Sequence, residues 1–66
     1  MIEATFVNFV PAEKCSKLRA TLETENTSPL SWSEVAMLFG SEFYFSGPED
    51  LARRTHEYIK RWVADP

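Results

Sequence analysis

The sequence predicts a small two-layer α+β domain, and three observations predict it. The segments Ile2 to Val10 and Glu42 to Ser46 are rich in β-branched and aromatic residues, which suit a pleated surface. The segments that follow Pro11 and Pro48 instead repeat apolar residues at helical spacing. Clusters of turn formers, Asn26-Thr27-Ser28-Pro29 and Gly47-Pro48, separate these pieces.

In the first strand, Ile2, Ala4, Phe6 and Asn8 fall on one face and Thr5, Val7 and Phe9 on the other, so both faces are fairly apolar. Pro11 fits the first turn of a helix, where its missing N–H costs nothing, and Glu13 complements the positive end of the dipole. Cys15, Leu18 and Leu22 then give a core-facing stripe to a helix running from Pro11 to about Glu25, with Lys14, Lys17 and Arg19 in solvent. Pro29 closes this unit because it pushes Ser28 out of helical geometry.

The segment from Leu30 to Gly40 supports two readings. As a helix it has Ser31 as cap, Glu34 completing a capping box, Leu30 and Val35 as a hydrophobic staple, and Gly40 as a stop. As a strand it pairs with Glu42 to Ser46 through a Gly40-Ser41 turn. Val35 to Phe39 is continuously apolar and as a strand demands burial on both faces, which so short a chain hardly supplies, so the helix is favoured. The expected order is strand, helix, short helix, strand, helix; strand, helix, β-hairpin, helix with a three-stranded antiparallel sheet is the alternative.

Ser46 or Gly47 is the expected cap of the last helix, whose first turn is Pro48, Glu49 and Asp50. Leu51, Thr55, Tyr58 and Trp62, with Ala52, Ile59 and Val63 beside them, form its apolar stripe. Glu57 and Arg61 stand in the favourable i, i+4 order.

The 66 residues include ten carboxylates, seven Lys and Arg, one Cys and one His, with 44% hydrophobic content. Residues 1–66 therefore read as a single folded domain. A chain of this size buries only about 60% of its unfolded surface, which leaves little room for both a core and a deep pocket. One cysteine forms no internal disulfide, no apolar run approaches the roughly 18 residues of a membrane span, and no signal pattern opens the chain. These features point to the cytoplasm.

Catalytic constellations are missing from the pattern. Cys15 and His56 stand on different helices, Cys15 within an apolar stripe, and zinc needs about four ligands of types that are scarce here. Gly40 and Gly47 are the only glycines and both serve turns or caps, which excludes a phosphate-binding loop. Neither Glu49 with Asp50 nor Glu23 with Glu25 converges on a common atom, because helical neighbours point about 100° or 200° apart. The expectation is a protein that is not an enzyme, with no metal, no cofactor and no small-molecule substrate.

Charge placement is more informative. Between Ala20 and Ala52 lie six carboxylates and no basic residue, while residues 51–66 carry four bases against two acids. Glu34, Glu49 and Asp50 have helix starts to explain them, whereas Glu23 and Glu25 sit near the disfavoured negative end of a helix and Glu42 has no evident partner. Arg19 partly offsets Glu23 at i, i+4. Glu23, Glu25, Glu34, Glu42, Glu49 and Asp50, with Tyr44 as an aromatic anchor, are the candidate partner-binding residues.

In size, acidity and lack of catalytic motifs the chain resembles the small inhibitors that phages encode against host proteins, including anti-CRISPR proteins, several of which are DNA mimics. That resemblance is one of class; it rests on no motif and transfers no residue roles. It implies a non-enzymatic inhibitor whose acidic surface competes for a basic nucleic-acid-binding groove on a host protein, since a groove built for phosphates also attracts fixed carboxylates.

Leu30 to Gly40 also resembles the first helix of a helix-turn-helix, which implies a DNA-binding or antitoxin-like regulator using the basic C-terminal helix. An aromatic strand stands where the recognition helix would have to begin, and a pI near 5.0 disfavours direct nucleic-acid binding. Apolar residues on both faces of the first strand, with Met37, Tyr44 and Trp62, exceed what one small core consumes, so self-association is a further possibility.

Overall fold

The computed structural model describes residues 2–65. Strand β1 (Glu3–Pro11) leads into helix α1 (Ala12–Thr24); strands β2 (Ser31–Ala36) and β3 (Gly40–Pro48) form a hairpin; helix α2 (Glu49–Ala64) ends the fold. The sheet is antiparallel throughout in the order β1-β3-β2. Both helices pack on one of its faces, each against β1 and β3.

The α+β class stands, in the hairpin arrangement rather than the short-helix one. Residues 31–36 are a strand, and the helix favoured from the capping pattern does not form. The reason lies in β3, whose Phe43 and Phe45 are fully buried beneath the helices. A buried central strand needs ladder partners on both sides for its N–H and C=O groups, and β2 supplies the second side. The apolar run that argued against a strand is not buried twice: pairing stops at Ala36, and Met37 to Phe39 form the exposed hairpin tip, closed by the Met37 N–H on the Gly40 carbonyl at 2.8 Å.

Three cross-strand rows face the helices: Phe6, Phe45 and Trp32; Asn8, Phe43 and Glu34; Val10, Ser41 and Ala36. Cys15 and Leu18 of α1 and Ala52 and Ile59 of α2 complete the core with Leu30, while Trp32 stacks on Phe43 at 6.1 Å between centroids. Leu51, Trp62 and Val63 pack at its border, but Tyr58, expected on the same stripe, is exposed. Asn8 lies buried beside Phe43 because the Asn8 amide donates to the His56 carbonyl at 3.1 Å and its oxygen meets His56 Nδ1 at 3.0 Å. As the amide oxygen only accepts, Nδ1 is the protonated ring nitrogen. His56, whose ring stacks on Phe6, is thus a packing residue.

Neither helix has a side-chain cap, so the expected Ser46 or Gly47 cap is absent. Carbonyls from other elements replace it: Phe39 O accepts the Ala12 N–H at 3.1 Å and Ile2 O accepts the Glu49 N–H at 3.0 Å. Lys14, expected in solvent, reaches the far end of α2, where its ammonium donates to the carbonyls of Trp62 at 2.9 Å, Val63 at 3.3 Å and Asp65 at 2.6 Å. A cation there also complements the helix dipole. Glu57 pairs with Lys60 at 3.2 Å instead of with Arg61.

Gly40 pairs with Pro11 at the end of the β1–β3 ladder, where an added Cβ would collide with the Val10 carbonyl. Neither strand backbone yields without disturbing the hairpin or the α1 start that hangs from it. Gly40→Ala is expected to destabilise the fold by about 1–3 kcal/mol, as overpacking does, read as a lowered urea midpoint with unchanged m value.

Candidate protein-binding surfaces

The second face of the sheet has no helix over it. Its rows are Thr5, Ser46 and Ser31; Val7, Tyr44 and Ser33; Phe9, Glu42 and Val35. Hydroxyls thus dominate the end near α2's start, where Thr5 and Ser46 share a 2.7 Å hydrogen bond, and apolar side chains dominate the other end. The hairpin tip continues that apolar end, with Leu38 87% and Phe39 76% exposed beside Phe9 at 49% and Val35 at 47%. Strand alternation produces this surface: every second residue of β1 and β2 must point away from the helices.

Among the described residues the only charged ones on this face are Glu3 and Glu42, because all seven Lys and Arg lie on α1 and α2. Tyr44 donates its hydroxyl proton to Glu42 at 3.0 Å, and that bond together with the negative carboxylate raises the phenol's pKa. Tyr44 is held as a donor, with its ring part of the apolar surface.

The candidate acids do not form one surface. Glu42 and Tyr44 are on the outer face. Glu34, read from the sequence as a capping-box residue, is on the helix-facing side, clamped by Arg19 through bonds of 2.7 and 2.6 Å and by Ser41 at 2.7 Å. Those hydrogen bonds, from Arg19 above all, hold its pKa at about 2 against an ordinary 4.5. Arg19 therefore serves Glu34 and is not simply solvated or offsetting Glu23. Glu23 and Glu25 are exposed at the end of α1, and Glu49 and Asp50 start α2, where Glu49 pairs with Arg53. Leu22 and Leu51 line one groove, which places these four acids at the same end of the molecule.

The exposed set Val7, Phe9, Val35, Leu38 and Phe39 is not among the candidate partner-binding residues drawn from the sequence. Its trace in the sequence is the pair of apolar faces on β1 and the unbroken run from Val35 to Phe39, a surplus that names no location until the sheet face is known to be bare.

The nucleophile candidates are engaged in packing. Cys15 is buried and its thiol donates to the Val10 carbonyl at 3.2 Å. Among the described residues no group of three or more His, Cys, Asp or Glu side chains is placed to hold a metal ion, and no helix is long and apolar enough to cross a membrane. No protein-family model, curated protein or solved structure matches this chain.

The Glu34 clamp carries a pH signature. A carboxylate whose pKa falls from 4.5 to about 2 on folding adds stability that is complete above about pH 5 and is lost as the pH drops towards 2. Glu34→Gln is expected to lower the urea midpoint at pH 7 and to flatten its decline between pH 5 and 2, measured beside the parent protein.

Proposed function

We propose that this protein is a non-enzymatic binding module that blocks a partner protein, docking through the outer sheet face and the Met37 to Phe39 tip. The observation that carries this reading is the exposure of Leu38 and Phe39 at the hairpin tip together with Phe9 and Val35 on the adjoining row of the outer face, where Glu3 and Glu42 are the only charges among the described residues. Exposed apolar surface of this kind is costly to a monomer and characteristic of protein interfaces. Leu38 and Phe39 are the anchors, since they are the most exposed of this set and have most area to lose to a partner.

The charge on the face selects the partner's chemistry. Sheet surfaces that bind nucleic acid combine aromatics with cations, and this face has no cationic side chain among the described residues. Its complement is an apolar protein surface with basic residues at its rim, a description that a nucleic-acid-binding groove on a host protein satisfies. Glu23, Glu25, Glu49 and Asp50, gathered at one end, add a negative field that favours encounter with such a surface. The clamped Glu34 contributes least to that field.

The test is affinity capture from a bacterial lysate at low and moderate salt with the parent protein and with Leu38→Asp/Phe39→Asp. Both positions are exposed, so the thermal midpoint should hold while recovery of the partner falls at least about tenfold, the effect of removing roughly 1.5 kcal/mol or more of anchor burial. Equal recovery by the two proteins, or none, overturns the reading. Duplex DNA retained by the isolated protein moves the function to the basic residues of α2, and a dimer abolished by the same substitutions assigns the face to self-association.

A further inference from the structure

The two helices lie side by side on the sheet and are tied at one end by Lys14. Along the rest of their length an open groove of about 640 Å³ runs between them, walled by Leu18 and Leu22 of α1 and by Leu51, Tyr58 and Ile59 of α2. The exposed Tyr58 ring stands on its wall with most of its surface uncovered.

The cations around this groove are distributed unequally. Lys14 is bonded to the α2 carbonyls, Arg19 to Glu34, Arg53 to Glu49 and Lys60 to Glu57. That leaves Lys17, Arg54 and Arg61, which make no ion pair among the described residues; Arg54 and Arg61 line the groove, and Lys17 lines an adjoining hollow that shares Leu18, Tyr58 and Ile59 with it. Arg54 and Arg61 are seven residues apart on α2, about two turns or 10 Å, so they form one row along the α2 wall.

We infer that this groove receives an acidic amphipathic helix of a partner protein, with apolar residues at i, i+3 or i+4, and i+7 on the groove floor and carboxylates seven residues apart facing Arg54 and Arg61. The charged residues of the lining are Arg53, Arg54, Glu57 and Arg61; Arg53 is paired with Glu49 and Glu57 with Lys60, so the two left free are cations at helical spacing beside an aliphatic floor, which matches that occupant in both chemistry and period. An extended peptide fits poorly, because helix walls offer no free backbone groups to pair with a strand. A nucleic acid finds a single ring, Tyr58, in an otherwise aliphatic lining where it needs successive stacking surfaces, and a single-headed lipid uses one cation of a row that runs along the groove. The groove is on the opposite side of the sheet from the outer face, and this inference stands independently of the proposed function.

The experiment is selection from a displayed library of helical peptides about 16 residues long, with a fixed apolar stripe and flanks randomised among Glu, Lys, Gln and Ser. Selection on the parent protein should enrich carboxylates at seven-residue spacing. The labelled consensus peptide should bind at least about tenfold more weakly to Arg54→Glu/Arg61→Glu and to Tyr58→Asp, while its Lys-for-Glu twin should prefer the charge-reversed protein. Leu38→Asp/Phe39→Asp should leave peptide binding unchanged, which separates this groove from the outer face. Failure to enrich peptides over the charge-reversed protein, enrichment of basic or neutral flanks, or loss of binding in Leu38→Asp/Phe39→Asp overturns the inference. So does binding of duplex DNA or phosphatidylglycerol vesicles that depends on Arg54 and Arg61 while no peptide binds.

Discussion

A sheet has two faces, and this chain has helices enough for one. That constraint governs the molecule. The 13 residues of α1 and the 16 of α2 cover the rows built on Phe45, Phe43 and Ser41 and leave the rows built on Ser46, Tyr44 and Glu42 in solvent. A larger protein commonly adds a layer on the second face; a domain of 66 residues buries one side well and leaves the other bare.

On the covered side, packing is close enough that polar groups persist only where they are bonded. Asn8 and His56 satisfy each other, Glu34 is held by Arg19 and Ser41, and no buried side-chain nitrogen or oxygen among the described residues lacks a partner. These bonds join α2 to β1 and α1 to the hairpin, so they orient the helices where apolar contact alone is non-directional. The caps work the same way: α1 starts on a carbonyl of the hairpin tip and α2 on the carbonyl of Ile2. Local structure at both helix starts therefore depends on tertiary assembly.

The layering also sorts charge. The helices hold every base, while the outer sheet face holds two carboxylates among aromatic, aliphatic and hydroxyl side chains. A modest net charge of -3 hides two sides of different chemistry. The outer face is suited to an apolar surface with a basic rim, and the groove between the helices to an acidic helix. Were both surfaces occupied, the protein would connect its partners through a single sheet, each touching a different side.

The class and most of the elements were legible in the sequence, because alternation in β1 and β3, helical spacing in α1 and α2, and Pro or Gly at the boundaries are local signals. Residues 31–36 were not, since their capping pattern is a genuine helix signal and what overrides it is the demand of β3 for a second ladder, a contact with residues up to fifteen positions away. The same holds for the candidate site. Sequence counts the acids and the surplus of apolar residues, but Glu34 turns inward to Arg19, and the outward side of Val7, Phe9 and Val35 has meaning only once both helices have taken the other face. The sequence by itself determined which residues are strand-like, helix-like, charged or apolar, through propensities that act over a few neighbours. Only the tertiary structure decided which sheet face stays bare and which cations stay unpaired, because burial and ion pairing are settled between segments far apart in the chain.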